Sequence, residues 1–172
     1  NFLTTDGTNT SWAAPSVDAL SDGILYSTSM YVGTSAGAAA TGTQNTGFGY
    51  QALQTVTTGT HNSAFGTTAL SLNTGGSNTA IGSLSLAVNA AGGSNTAVGR
   101  SALGAVTSTD FSTAVGTHSL GNATGASNTA VGSSALRNFV GGDRNTAIGT
   151  SAGQGTGAVT TGSDNTFLGF AS

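Results

Sequence analysis

Residues 78–99 read NTAIGSLSLAVNAAGGSNTAVG, in which Asn78-Thr79-Ala80-Ile81-Gly82 returns 17 positions later as Asn95-Thr96-Ala97-Val98-Gly99. The motif continues in both directions as NTGFG at Asn45, NSAFG at Asn62, STAVG at Ser112, NTAVG at Asn128, NTAIG at Asn145 and NTFLG at Asn165. Successive starts lie 16 or 17 residues apart, and 20 at the last step. A weaker copy, SMYVGTSAG, begins at Ser29 and matches NTAIGTSAG from Asn145 to Gly153, so nine copies cover residues 29–172. Phased self-similarity of this kind marks a repeat architecture, in which each unit buries its apolar face only against its neighbours.

Each column of the repeat has a physical reading. The large apolar column holds Val32, Phe48, Phe65, Ile81, Val98, Val115, Val131, Ile148 and Leu168. β-Branched and aromatic residues fit a pleated surface, so this column is expected to be the structural core of the repeat. Gly follows it in every copy, which predicts positive φ or a close approach of two backbones. A second Gly stands three residues before the motif in seven of eight copies, with Thr109 as the exception. Two such corners per unit leave room for two strands of about five residues.

A second apolar column follows the motif at Leu53, Leu70, Leu86, Leu103, Leu120 and Leu136, with Gly37 and Gly153 in its place in two copies. It is expected either to pack between chains or to form a second core column, because a coil this short has a narrow interior. A looser apolar set lies at Val56, Leu72, Val88, Val106 and Phe139. The motif asparagines Asn45, Asn62, Asn78, Asn95, Asn128, Asn145 and Asn165 predict a ladder of amides bonded from coil to coil, a device that needs in-register repetition. The fold class is therefore all-β: a β-solenoid or β-roll of 16–17-residue coils, roughly 40 Å long at ~4.8 Å per coil, and expected as a parallel homotrimeric fibre.

Composition agrees with that reading. Of 172 residues only nine are formally charged, six Asp and three Arg, or 5% against roughly 25% in ordinary soluble domains. Gly supplies 28 residues and Pro one, a mixture that fits neither collagen nor a helical protein. With a net charge of −3, no nucleic-acid partner is expected. Cysteine is absent, removing disulfides and thiolate metal sites. No run of 18 apolar residues occurs, so no membrane insertion is expected. Asn1 begins the chain with no initiator Met and no basic-then-apolar leader, which is read as a segment or processed piece of something longer.

The NTAVG-x-x-AL repeats resemble those of bacteriophage tail and side fibres, and more distantly the head repeats of trimeric autotransporter adhesins. That resemblance covers residues 29–172 and implies a trimeric β-roll whose role is structural. Residues 1–28 lack the repeat. FLTTDGTNTSW, Phe2 to Trp12, is similar to a short linker that precedes repeat regions in phage structural proteins, and Asp6-Gly7 predicts a turn within a small hairpin. This segment is expected to be a linker or cap over the open coil edge.

Candidate chemistry is sparse. His61 and His118 occupy different columns and do not predict a shared metal site. Asp110, Asp143 and Asp164 supply about one carboxylate per coil, too few for a six- to eight-oxygen Ca²⁺ site, and are read as turn residues. Arg100, Arg137 and Arg144 fall in three columns with no stripe, and Arg144 is expected to pair with its neighbour Asp143. No cofactor, catalytic residue or metal ligand is expected, and no enzyme activity. The expected function is a fibre or shaft segment of a phage tail or side fibre, located on the virion, partnered by other virion proteins and presenting an element that meets a host surface glycan or protein. The alternatives are a bacterial trimeric surface adhesin and an ice-binding solenoid built on the Thr column (Thr46, Thr79, Thr96, Thr113, Thr129, Thr146 and Thr166).

Overall fold

The structure is a computed structural model that describes residues 4–5, 10–11, 23–26, 28–154 and 162–171. Two short strands, β1 (Thr4–Thr5) and β2 (Thr10–Ser11), pair antiparallel with Thr4 opposite Ser11. The Asp6-Gly7 turn lies outside the described residues. Strand β3 (Gly23–Tyr26) then pairs antiparallel with β4 (Ser29–Val32), the first strand of the repeat region.

From β4 onward the chain winds as a parallel β-solenoid. Each repeat contributes one strand to a single sheet: β5 (Thr46–Phe48), β7 (Ser63–Phe65), β9 (Thr79–Ile81), β10 (Thr96–Val98), β11 (Thr113–Val115), β12 (Thr129–Val131), β13 (Thr146–Ile148) and β14 (Thr166–Leu168). These strands pair parallel with no slip, so that Thr96 faces Thr113, Ala97 faces Ala114 and Val98 faces Val115. Nine strands bound eight coils, and eight steps of ~4.8 Å make a rod of roughly 38 Å.

The strands are three residues long after β4, shorter than expected, and most coils contain only one. Among the described residues a second strand appears only where β6 (Thr55–Val56) pairs with β8 (Leu72–Asn73). Left-handed residues cut the extended run short. The Gly after each strand has φ between 115° and 138°, and the Leu column itself sits at φ 47–51°. Such a conformation costs an L-residue about 1–2 kcal/mol, but here it does not strand the backbone amides. Leu53 N donates to Ala69 O in the following coil, and Gln51 N to Thr34 O in the preceding one. Hydrogen bonds thus continue along the rod even where the chain is not extended, as burial requires.

The core differs from expectation in one respect. Strand alternation buries the small middle residue, Gly47, Ala64, Ala80, Ala97, Ala114, Ala130 or Ala147, and turns both flanking residues away. The interior is filled from the opposite side by Leu53, Leu70, Leu86, Leu103, Leu120 and Leu136, each fully buried. The Leu column is therefore the core, and each side chain contributes about 1.5–3 kcal/mol of apolar burial. The large apolar column expected there lies on the outer surface. Facing positions of a narrow coil can hold one large and one small side chain, and Ala opposite Leu is the combination that fits.

The looser apolar set divides. Val56, Val106 and Phe139 are buried, whereas Leu72 is exposed and Val88 half-buried. In those two coils the inward position falls one residue later, on Asn73 and Asn89. Each bonds the carbonyl of a nearby Gly, Asn73 Nδ2 to Gly75 O at 2.8 Å and Asn89 Nδ2 to Gly92 O at 2.8 Å.

The glycine columns have separate causes. After the strand, a Cβ on Gly99 would meet Gly116 O at 2.6 Å with φ at +130°, so both conformation and space demand Gly. Before the motif φ is not positive, and the close approach alone decides: a Cβ on Gly125 would lie 1.9 Å from Gly142 O.

Candidate functional site: the outward apolar stripe

Thr and Val flank each buried Ala, so both point outward on one face of the parallel sheet. In-register pairing stacks them into two ranks along the rod. The Thr rank is half-buried along most of its length, with Ser63 taking its place in one coil. Beside it runs the apolar rank, Phe48, Phe65, Ile81, Val98, Val115, Val131, Ile148 and Leu168, with Ile81 44% and Ile148 48% exposed. Phe48 and Phe65 stack face to face, with ring centroids 5.2 Å apart and planes 6° from parallel. An apolar stripe this long is larger than scattered surface hydrophobics and is the candidate interaction surface of the rod.

The asparagines hold the stripe in register. Asn78 Oδ1 accepts the Asn95 backbone N–H at 3.0 Å, and Asn95 Oδ1 accepts that of Ser112 at 2.9 Å. The amide nitrogens turn across the coil, Asn78 Nδ2 to Gly92 O at 2.9 Å and Asn128 Nδ2 to Gly142 O at 2.8 Å. The same pattern links Asn45 to Asn62, Asn62 to Asn78, Asn128 to Asn145 and Asn145 to Asn165. Within the ladder, side chain to backbone is thus the principal link, with direct amide pairs added at Asn95 Nδ2 to Asn78 Oδ1 (3.2 Å), Asn145 Nδ2 to Asn128 Oδ1 (3.1 Å) and Asn165 Nδ2 to Asn145 Oδ1 (2.9 Å). Ser112 substitutes by accepting Asn128 N on its hydroxyl at 3.2 Å. Every one of these asparagines except Asn165 is buried, and slipping one coil by a residue would leave its amide unbonded.

The charged residues fall elsewhere. Asp110 and Asp143 cap backbone amides of the coil before, Gly93 N at 2.7 Å and Ala126 N at 2.8 Å. Arg144 pairs with Asp164 one coil on, at 2.6 Å and 2.9 Å, in place of the adjacent Asp143. Coil stacking brings Asp164 alongside, whereas Asp143 Oδ1 is engaged by Ala126 N. That ion pair raises the Arg144 pKa and lowers that of Asp164, yet both side chains are largely exposed and the contact adds little stability.

His61 Nδ1 contacts Thr60 Oγ1 at 3.1 Å and lies in a different column from His118. No group of three His, Cys, Asp or Glu among the described residues is placed to hold a metal ion. Arg100, His118 and Arg137, separate in sequence, do converge: Arg100 Nη1 is 3.2 Å from His118 Nε2. Burial, then the guanidiniums of Arg137 and Arg100, push the His118 pKa below its ordinary value. Phasing the three residues onto successive coils is the signal that brings them together. Among the described residues no helix is long and apolar enough to cross a membrane. No protein-family model, curated protein or solved structure matches the chain.

Proposed function

We propose that this chain is a rigid shaft segment of a phage tail or side fibre, in which three parallel copies pack through their outward apolar stripes. The observation that carries the reading is the unbroken rank from Phe48 to Leu168, exposed or half-buried along one face of an in-register sheet. Burying that rank against two like copies removes apolar surface from water at about 25 cal/mol per Å². The charge-poor composition suits the same role, because identical charges repeated at ~4.8 Å intervals would repel. On this reading the rod resides on the virion, and its work is to space or present a host-binding element.

The test is sedimentation equilibrium on the wild type and on a Val115→Asp/Ile148→Asp variant. Both changes fall on exposed outer positions, so the coil is expected to survive, as read by circular dichroism. A wild-type trimer that the variant converts to a folded monomer supports the proposal. A wild type that stays monomeric at high micromolar concentration overturns it.

A further inference from the structure

Two of the three arginines have no carboxylate partner among the described residues: Arg137 lines a groove, and Arg100 bonds His118, which lines it too. Arg144 is neutralised by Asp164, while Arg100 and Arg137 make no ion pair there. The groove exists because one column loses its side chains over three coils. Ala87, Gly104 and Gly121 form the floor where other coils carry larger residues such as Gln54. The lining is completed by one column holding Leu84, Ser101 and His118 and another holding Val88, Ala105 and Asn122. Arg137 closes one end, its Cγ 3.6 Å from where a Cβ on Gly121 would stand. The space measures about 290 Å³, close to the ~300 Å³ lower bound of small-ligand sites, which suits a single ring.

We infer that this groove binds a carboxylate-bearing monosaccharide, with the C–H face of the ring on the Ala87–Gly104–Gly121 floor and the carboxylate drawn to Arg100 and Arg137. Guanidinium is the side chain best matched to a carboxylate, and an Arg with no acidic partner keeps donors for a ligand, here with one of those on Arg100 given to His118. The apolar floor selects for a ring face over a bare anion; Ser101 offers its hydroxyl to sugar hydroxyls, and Asn122, whose Nδ2 donates to Asn138 Oδ1, its amide oxygen. His118 receives the Arg100 N–H on Nε2 at 3.2 Å, which ties that guanidinium to a residue of the lining. The groove lies beyond the Gly corner that ends each strand, away from the outward ranks of the sheet.

The test is titration of the full chain with sodium glucuronate, followed by amide and imidazole resonances, beside parallel titrations with glucose and sodium acetate. Saturable shifts at Gly104, Gly121 and His118 are expected with glucuronate, at least tenfold weaker with glucose and with acetate. Arg100→Gln and Arg137→Gln should each weaken glucuronate binding, and together by tenfold or more. Arg144→Gln, outside the groove, should leave it unchanged. Unaltered resonance dispersion elsewhere shows that each variant folds. Absence of saturable shifts with glucuronate overturns the inference, as does undiminished binding in the double variant. Acetate binding as tightly as glucuronate would also overturn it, by showing a bare anion site.

Discussion

Gly37 lies against the ring of Tyr31: a Cβ built on Gly37 would fall 2.4 Å from Tyr31 Cγ. Both positions depart from the repeat, since Tyr31 stands in the Ala column and Gly37 in the Leu column. The two departures compensate, a large side chain from the strand filling the space that Leu fills elsewhere. The other end repeats the exchange, where a Cβ on Gly153 would lie 2.7 Å from Phe167 Cδ2. The φ of Gly37, 60°, is close to the 47–51° of the Leu column, so space and not conformation excludes Leu there.

That exchange predicts strong coupling. Gly37→Leu alone should destabilise the rod by overpacking, about 1–3 kcal/mol or more. Tyr31→Ala alone should cost about 3–5 kcal/mol by leaving a cavity. The double variant restores the consensus and should be more stable than the sum of the single losses by at least ~2 kcal/mol. Urea unfolding of the four proteins measures the coupling, and additive losses would show that the sites are independent.

Asparagine ladder positions should rank by how many bonds the replacement keeps. Asn78→Ala leaves the buried Asn95 backbone N–H without its partner, at about 1–3 kcal/mol, while the Gly92 carbonyl keeps the Asn89 amide. Asn78→Ser should cost less, since Ser112 already accepts the Asn128 N–H in the same column. Equal losses in Asn78→Ala and Asn78→Ser, read from chemical denaturation, would contradict the ladder's role.

Two buried hydroxyls make the opposite case. Tyr31 Oη and Thr109 Oγ1 have no hydrogen-bond partner among the described residues. Removing an unpartnered buried polar group recovers its desolvation cost, so Tyr31→Phe and the near-isosteric Thr109→Val should each stabilise by about 1 kcal/mol. A rise in thermal midpoint is expected for both, and a fall of similar size in either would reveal a partner for that hydroxyl.

His118 gives the rod a weak acid sensitivity. Burial, Arg137 and Arg100 hold its folded-state pKa below the ordinary 6.5. As pH falls, the unfolded chain takes up the proton first, so stability present above pH 6.5 declines from there through the lower folded-state pKa and then levels off. His118→Gln should flatten that decline between pH 7.5 and pH 5. Urea midpoints at the two pH values check it, and an identical drop in both proteins would assign the loss to other groups.

The repeat period, the all-β class and the register were legible in the chain itself, because a 16- or 17-residue phase forces like residues to stack. Asn78, Asn95 and Gly99 showed their roles for the same reason: a ladder amide and a crowded corner recur in every coil and leave a column. What the period does not contain is the direction of each column. Ile81 and Leu86 are both large and apolar, and only the closed coil, with Ala80 inward and Leu86 opposite it, puts Ile81 outside and Leu86 at the centre. Nor does a column show neighbours in different columns. Arg100, His118 and Arg137 meet because winding carries each coil past the last at an offset that depends on the corners between them. Sequence alone determined the rod and its repeat, since local periodicity is sufficient to specify stacking. The tertiary structure decided which face is core and which surface is left to meet other molecules, since that depends on how much side-chain volume one closed coil can hold.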